Sequence, residues 1–487
     1  MLRKLILLIG VIALVTAFGA AGAQELPEQV CLITNEQGKI NDGTFNTFAY
    51  AGMLRAAEEY NLETTFIETI AASDYENNFA TCINEGYDII VTVGFLITDA
   101  TAAAAAANPD VKFIGVDQFF ASPLPNLVGL QFREDQGGFL AGAMAALMTE
   151  TNIVGGVYGV EIPPVIKFRN GFEAGARYIN PEITVFGVYN DSFIAPDEGG
   201  RDAEQLIGDG ADVILGAGGP TGSGAITLAA QQGYFVIGVD LDEYTTTFGN
   251  GDTPGADRII TSAIKRVDEG VYAMIGAAAT GEPFPASSIY VLEVANGGIG
   301  YAPANEAPVP EAVQARMEEI LAGLRDGSIV TGADPITGAV LQPIPTVAAN
   351  AGSFTTLLAA VEAAGLTETL LGPGPFTVFA PTDEAFAAAL AALGVTAEQV
   401  LADTDLLTSV LTYHVVAGRA ATSTILTSVL LPEGADSLAL TTVQGGDLTL
   451  TFDGGVVING TTNVIAADIP ASNGIIHVID GVLLPPM

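Results

Sequence analysis

A chain of 487 residues has room for about three domains, and with 49% hydrophobic residues it can bury large cores. Its 16 Lys and Arg stand against 56 Asp and Glu, a formal net charge of −40. That balance repels nucleic acid, anionic lipid and polyphosphate, and the acids are spread along the chain rather than blocked, so they read as a solvated surface.

The chain begins with Arg3 and Lys4, an apolar run over 5–18 and the small-residue signal Ala21-Gly22-Ala23. This is the pattern of a cleaved signal peptide over 1–23, with an uncleaved anchor as the alternative. Export to the periplasm, cell surface or medium is expected. No cysteine stands near the cleavage site, so no lipid anchor is expected.

From 28 to about 290, strand and helix patterns alternate. Strand-like runs fall at 30–34, 63–67, 89–93, 112–116 and 127–131, then at 153–158, 184–188, 213–215 and 235–239. Helical patterns lie between them, at 44–60, 137–148, 166–179 and 221–232. This is the βα repeat of parallel sheets. A break at 131–135 divides it into two lobes, and a return strand at 258–260 leads into a helix over 262–280. Crossings between lobes are expected near 131–135, 241–258 and 285–292 of a domain spanning 24–331. A hinged pair of this kind encloses a cleft, a favoured place for small ligands.

The two cysteines, Cys31 and Cys82, both fall in the first lobe. With strand order 2-1-3, the helix over 75–84 would end beside the start of strand one, which brings the two together. A disulfide is expected, with two buried thiols as the alternative.

Texture changes after Gly332. Residues 332–344 read as a linker, and 345–487 as an α+β domain with short Thr/Val/Leu strands and Ala/Leu helices near 354–371 and 396–411. This domain carries one basic residue, Arg419, against thirteen acids.

Catalysis is thinly supported. The two histidines, His414 and His477, lie in the last domain, and no nucleophile elbow or metal-spaced Cys/His cluster accompanies them. The run from Gly216 to Gly224 lacks the lysine of a phosphate loop. No cofactor or metal is expected; Asp240-Leu241-Asp242 has no spaced calcium loop around it.

Binding is better supported, because chemistry recurs at strand ends, where open α/β sheets hold ligands. Asp42, Phe45 and Asn46 follow the first strand. Asp117, Phe193, Gly219 and Asp240 follow later ones, and Lys265 opens the returning helix. A flat heterocycle would stack between Phe45 and Phe193. Asp42 and Asn46 suit its ring edge, Asp117 and Asp240 suit vicinal hydroxyls, and Lys265 balances their charge. A strand-end Asp equally serves as a helix cap, and Asp242 competes with Asp240 for the inward position.

Several of these stretches carry a family likeness. Asn41-Asp42-Gly43-Thr44-Phe45-Asn46, Gly171-Phe172-Glu173-Ala174-Gly175, Gly238-Val239-Asp240-Leu241-Asp242 and Ser262-Ala263-Ile264-Lys265-Arg266-Val267 make 28–330 resemble the basic-membrane-protein family of ABC-transporter substrate-binding proteins. The resemblance implies a two-lobed, periplasmic-binding-protein-like (type I) fold, a permease partner and a purine nucleoside as ligand. Asp42 and Asn46 would then read the base beside Phe45 and Phe193, with Asp117, Asp240 and Lys265 on the ribose and backbone help near Gly219. Gly43-Thr44 stands where family members often have Lys-Ser. Residues 345–487 resemble a fasciclin domain through Phe376-Thr377-Val378-Phe379-Ala380-Pro381-Thr382-Asp383, Tyr413-His414-Val415-Val416 and Asn473-Gly474-Ile475-Ile476-His477. That resemblance implies a cell-surface or matrix partner, and both histidines read as structural. The expected function is solute capture with adhesion. The alternatives are a surface adhesin whose α/β part binds another flat ligand such as a flavin, or none, and a ligand-sensing receptor.

Overall fold

The computed structural model describes residues 26–420 and 437–486; the expected signal peptide lies outside the described residues. Twelve strands follow one another in the first domain: β1 (Gln29–Thr34), β2 (Glu63–Ile67), β3 (Ile89–Val93), β4 (Lys112–Val116), β5 (Leu127–Phe132), β6 (Ile153–Tyr158), β7 (Thr184–Tyr189), β8 (Val213–Ala217), β9 (Phe235–Asp240), β10 (Ile259–Lys265), β11 (Ile289–Leu292) and β12 (Ile299–Tyr301). They form two sheets, ordered β11-β5-β4-β3-β1-β2 and β12-β10-β9-β8-β6-β7. Every pairing is parallel except that of β12 on β10. Helices cover both faces, so the central strands read as unbroken apolar runs; Ile89–Val93 is buried throughout.

Helices α1 (Phe45–Tyr60), α2 (Tyr75–Asn84) and α3 (Thr98–Ala107) belong to the first lobe, and α4 (Glu134–Met148) crosses to the second, where it packs against β10. The second lobe also has α5 (Pro163–Ile179), α6 (Pro196–Gly208) and α7 (Pro220–Gln231), α8 (Val267–Thr280) returns to pack on α1 in the first, and α9 (Glu311–Asp326) closes the domain against α4. The halves share one plan. Sequence shows it too: Ile114-Gly115-Val116-Asp117 ends β4 and Ile237-Gly238-Val239-Asp240 ends β9, its counterpart.

The chain crosses between lobes at Arg133, and the expected crossings at 241–258 and 285–292 are displaced. The 241–258 stretch stays within the second lobe, because β9 and β10 are neighbours in one sheet. That crossing comes at Arg266, before α8, and the last runs through 293–298, between β11 and β12. Lys265 therefore ends a strand rather than opening a helix. Ser262, Ala263 and Ile264 pair in register with Gly238, Val239 and Asp240. The helix waits for Val267, where Asp268 and Glu269 fill its first turn and suit its dipole.

The sheet order around β1 is β2-β1-β3, and α2 ends beside the start of β1. Cys31 and Cys82 are joined there as a disulfide, with a Cα–Cα separation of 6.2 Å.

The C-terminal domain is one mixed sheet of β13 (Phe376–Pro381), β14 (Val415–Ala417), β15 (Leu438–Thr441), β16 (Asp447–Phe452), β17 (Val456–Ile458), β18 (Thr462–Ala471) and β19 (Gly474–Ile479), ordered β14-β13-β19-β18-β17-β16-β15. Short helices pack on it, and the two expected helical stretches are each divided. Thr355–Ala363 is followed by Thr367–Leu371, and Ala397–Ala402 by Thr404–Tyr413. The expected linker is not loose: Ala333 bridges Val340 across a closed turn.

Candidate functional site

The carboxyl ends of β1, β3 and β4 face those of β7 to β10 across the cleft. Between them lies a cavity with about 680 Å³ of non-protein space, part of it continuous with solvent. Asp42, Phe45, Asn46, Asp117, Phe193, Gly219, Asp240 and Lys265 all border it.

The first lobe contributes the loop into α1. Asp42 does not offer its carboxylate to the cavity, because both oxygens are taken by the amino end of that helix. Oδ1 accepts from the Thr44 and Thr47 amides and the Thr47 hydroxyl, each at 3.0 Å. Oδ2 accepts from the Asn46 amide at 3.1 Å and from Asn46 Nδ2 at 2.8 Å. The capping role weighed for a strand-end Asp prevails here. Its consequence is orientation: with Nδ2 held, Asn46 Oδ1 is a buried acceptor without a partner. Beside it, Phe45 lies with its ring centroid 4.9 Å from Lys265 Nζ, close enough for a cation–π attraction.

The second lobe brings Phe193 on the loop after β7. Its N–H donates to Gln37 Oε1 of the first lobe at 3.0 Å, a bond across the cleft. Its ring covers Gly159, where a Cβ would stand 2.3 Å from the ring edge. Gly219, at φ +57°, turns the chain from β8 into α7 and brings bare backbone to the cavity wall.

Asp117 and Asp240 occupy equivalent strand ends, and both take left-handed backbone, at φ +61° and +71°. Outside glycine this backbone is uncommon and is taken most readily by Asp and Asn, and here it recurs at two matched strand ends. Lys265 from the second lobe reaches Asp117 of the first at 2.7 Å and also Glu134, at the start of α4, at 2.9 Å. Lys167 completes the chain, 2.6 Å from Glu134. All these groups are buried. Burial pushes the Asp117 carboxyl up to about 6, against the pull of Lys265. It pushes Asp240 up to about 7, with Lys265 opposing and Asp117 and Glu243 adding to the rise. Burial works against the charge on Lys265, but Asp117, Glu134 and Asp240 together hold its pKa above the ordinary value. Asp117 Oδ1 is a second buried acceptor without a partner. Asp242 turns away from the cavity, accepting from the Tyr244 amide at 3.1 Å and from Asn305 Nδ2 at 3.1 Å.

Sequence reasoning missed Gln37, Phe95, Val165 and Phe168, which also border the cavity. Phe95 follows β3 directly, so the strand-end rule that found Asp117 would have found it. Val165 and Phe168 lie three apart on α5 and look like any core pair. Glu134 and Lys167 were missed as well; a lone charge between Ile166 and Phe168 was the signal at Lys167, while Glu134 sits among Arg133, Asp135 and Gln136 and had none.

The histidines lie far from this cleft in sequence and spend their ring nitrogens on backbone. His414 Nδ1 bonds the Val410 carbonyl at 2.8 Å and Nε2 accepts from the Leu483 amide at 2.9 Å. His477 Nε2 bonds the Ala420 carbonyl at 2.8 Å while Nδ1 accepts from the Asp468 amide at 3.3 Å. One donor and one acceptor per ring is the neutral form, and burial pushes His414 down to about 4.

Comparison with known proteins agrees with this architecture. The family described as ABC transporter substrate-binding protein PnrA-like matches residues 30–324, and the fasciclin domain matches 352–485. The ABC transporter nucleoside-binding protein BmpA of Lactococcus lactis is 30% identical over 296 residues, 58% of this chain and 84% of that protein. Basic membrane protein A of Borreliella burgdorferi is 33% identical over 267 residues, 54% of this chain and 75% of that protein. Among solved structures, an ABC transporter solute-binding protein from Aeropyrum pernix superposes with a TM-score of 0.56 at 25% identity, covering 63% of this chain and 94% of that one. Such a family binds solutes rather than converting them. Among the described residues no helix is long and apolar enough to cross a membrane. The chain belongs to the PnrA-like family of ABC-transporter substrate-binding proteins and carries a fasciclin domain behind its solute-binding domain.

Proposed function

We propose that the exported protein captures a purine nucleoside and delivers it to an ABC-type permease, while its fasciclin domain attaches it to a cell surface or matrix. The observation that carries this reading is the coexistence in one cavity of two phenyl rings, an unpartnered amide acceptor and two strained, buried carboxylates. Phe45 and Phe193 stack on the base, and Asn46 Oδ1, aimed by Asp42, accepts from a ring N–H. Asp117 and Asp240 accept from the ribose hydroxyls, Lys265 donates to one of them, and backbone near Gly219 completes the wall. The printed name of the Lactococcus relative supports the nucleoside, and the fasciclin match supports attachment. The Gln37–Phe193 and Lys265–Asp117 bonds join the lobes, so release requires them to part.

The test is calorimetric titration of the full chain with inosine, adenosine, guanosine and riboflavin. A saturable response to a purine nucleoside is expected. Response to riboflavin alone replaces the ligand class, and silence across the panel refutes solute capture of this kind. Loss of cell or matrix attachment on deleting 345–487 checks the second half of the reading.

A further inference from the structure

The segment joining the two domains packs against α5, a helix that borders the cleft. Residues 333–340 close into a hairpin turn, pinned by Asp334 Oδ1, which accepts from the amides of Ile336 at 3.0 Å and Thr337 at 2.7 Å. The tip lies on α5. Asn170 Nδ2 donates to the Gly338 carbonyl at 2.7 Å, and a Cβ on Gly338 would stand 2.6 Å from the Lys167 amide nitrogen. The base is held by the fasciclin domain: the Ser472 amide donates to the Gln342 carbonyl at 3.0 Å, and the Ile344 amide donates to Asn473 Oδ1 at 3.0 Å. Just before the turn, the Thr331 hydroxyl donates to the buried carboxylate of Asp135, which also grips Arg133 at the first lobe crossing.

These contacts meet the groups that support the ligand cavity. Helix α5 faces two ways: Val165 and Phe168 border the cavity, while Lys167 and Asn170 meet the hairpin. Lys167 also donates to the Phe132 carbonyl at 2.8 Å and pairs with Glu134, which pairs with Lys265. A loose tether would touch none of this.

We infer that residues 331–341 are a positioning element of the cleft: through Gly338 and Thr331 the C-terminal domain fixes α5 and the Lys167–Glu134–Lys265 chain, and so sets how tightly the lobes hold their solute. The affinity part rests on the nucleoside reading above. By linkage, ligand then also strengthens the seating of the C-terminal domain.

The experiment uses the full chain with inosine as probe, in the wild type and in Thr331→Val, Thr331→Ser and Gly338→Ala. Thr331→Val and Gly338→Ala are expected to weaken inosine binding about three- to tenfold, from the loss of about one hydrogen bond's worth of support. Thr331→Ser keeps the hydroxyl and is expected to bind as the wild type does. Hydrogen exchange of α5 without ligand is the second reading: faster in the Val and Ala variants, unchanged in Ser. If Gly338→Ala fails to fold, the Val/Ser pair carries the comparison. Wild-type affinity in Thr331→Val overturns the inference, whatever the exchange shows. A wild type silent to the whole nucleoside panel sinks the nucleoside reading alone; α5 exchange then decides the positioning role, supported by acceleration in Thr331→Val and overturned by its absence.

Discussion

If Asp240 holds the solute, as proposed, capture is expected to depend on pH. Its carboxyl is held up to about 7, first by burial and then by Asp117, Glu243 and Asp42, with Lys265 opposing. In the proposed complex a sugar hydroxyl donates to the ionised carboxylate, so that fraction is the competent one. About nine-tenths is ionised at about pH 8 and about one-tenth at about pH 6, so apparent nucleoside affinity falls about tenfold between them. Asp117, at about 6, carries the loss further as the medium becomes more acidic. Calorimetry across this range measures the slope, and Asp240→Asn is its control, since asparagine tolerates the left-handed backbone at this position. The variant should bind more weakly and lose most of the slope. The same group acts oppositely on the empty fold. Its folded pKa lies above the unfolded value, so its contribution to stability is present at low pH and lost as pH rises through about 7. Asp240→Asn should therefore raise the melting temperature of the ligand-free protein, most visibly at about pH 8. A wild type with flat affinity from about pH 6 to 8, or a variant that keeps the full slope, refutes the reasoning.

Three further outcomes are expected. Phe45→Ala removes one stacking face and should weaken nucleoside binding about tenfold by calorimetry, with little change in the melting of the C-terminal domain. Lys265→Met strands the Asp117 carboxylate in the interior, leaves Glu134 to Lys167 alone, and should cost about 3–5 kcal/mol of solute-binding-domain stability in denaturant melts. His414 has a folded pKa depressed to about 4, so its contribution is present above about 6.5 and lost as pH falls toward 4. The fasciclin domain should lose about 3 kcal/mol over that window, and His414→Gln should flatten the dependence.

Much of this was legible in the sequence because parallel strands announce themselves as apolar runs and their carboxyl ends collect the ligand chemistry. That rule led to Asp117 before the break at 131–135 and to Phe193 and Asp240 after it. It misread Lys265, because Ile-Ile-Thr-Ser-Ala-Ile-Lys runs into α8 with no glycine or proline to separate strand from helix. Asp42 was found for its chemistry, yet its oxygens serve Thr44, Asn46 and Thr47, a distinction set by helix-end geometry that spacing alone does not resolve. Gln37, Glu134 and Lys167 stayed hidden because their partners come from across the cleft or from the crossing helix. Such pairs depend on how the lobes sit together, and nothing local in the chain encodes that.

The docking of the C-terminal domain also fixes a direction. Its neighbours, Arg133, Gln136 and Glu293, stand at two of the three places where the chain passes between lobes. The sheet edges farthest from those passages are β2 and β7, on the opposite flank of the molecule. The C-terminal domain is thus docked on the side where the chain passes between the lobes, at the end of the sheets opposite β2 and β7. If the tail is the anchor, as the proposed function has it, the surface meets the passages between the lobes and leaves the flank of β2 and β7 clear.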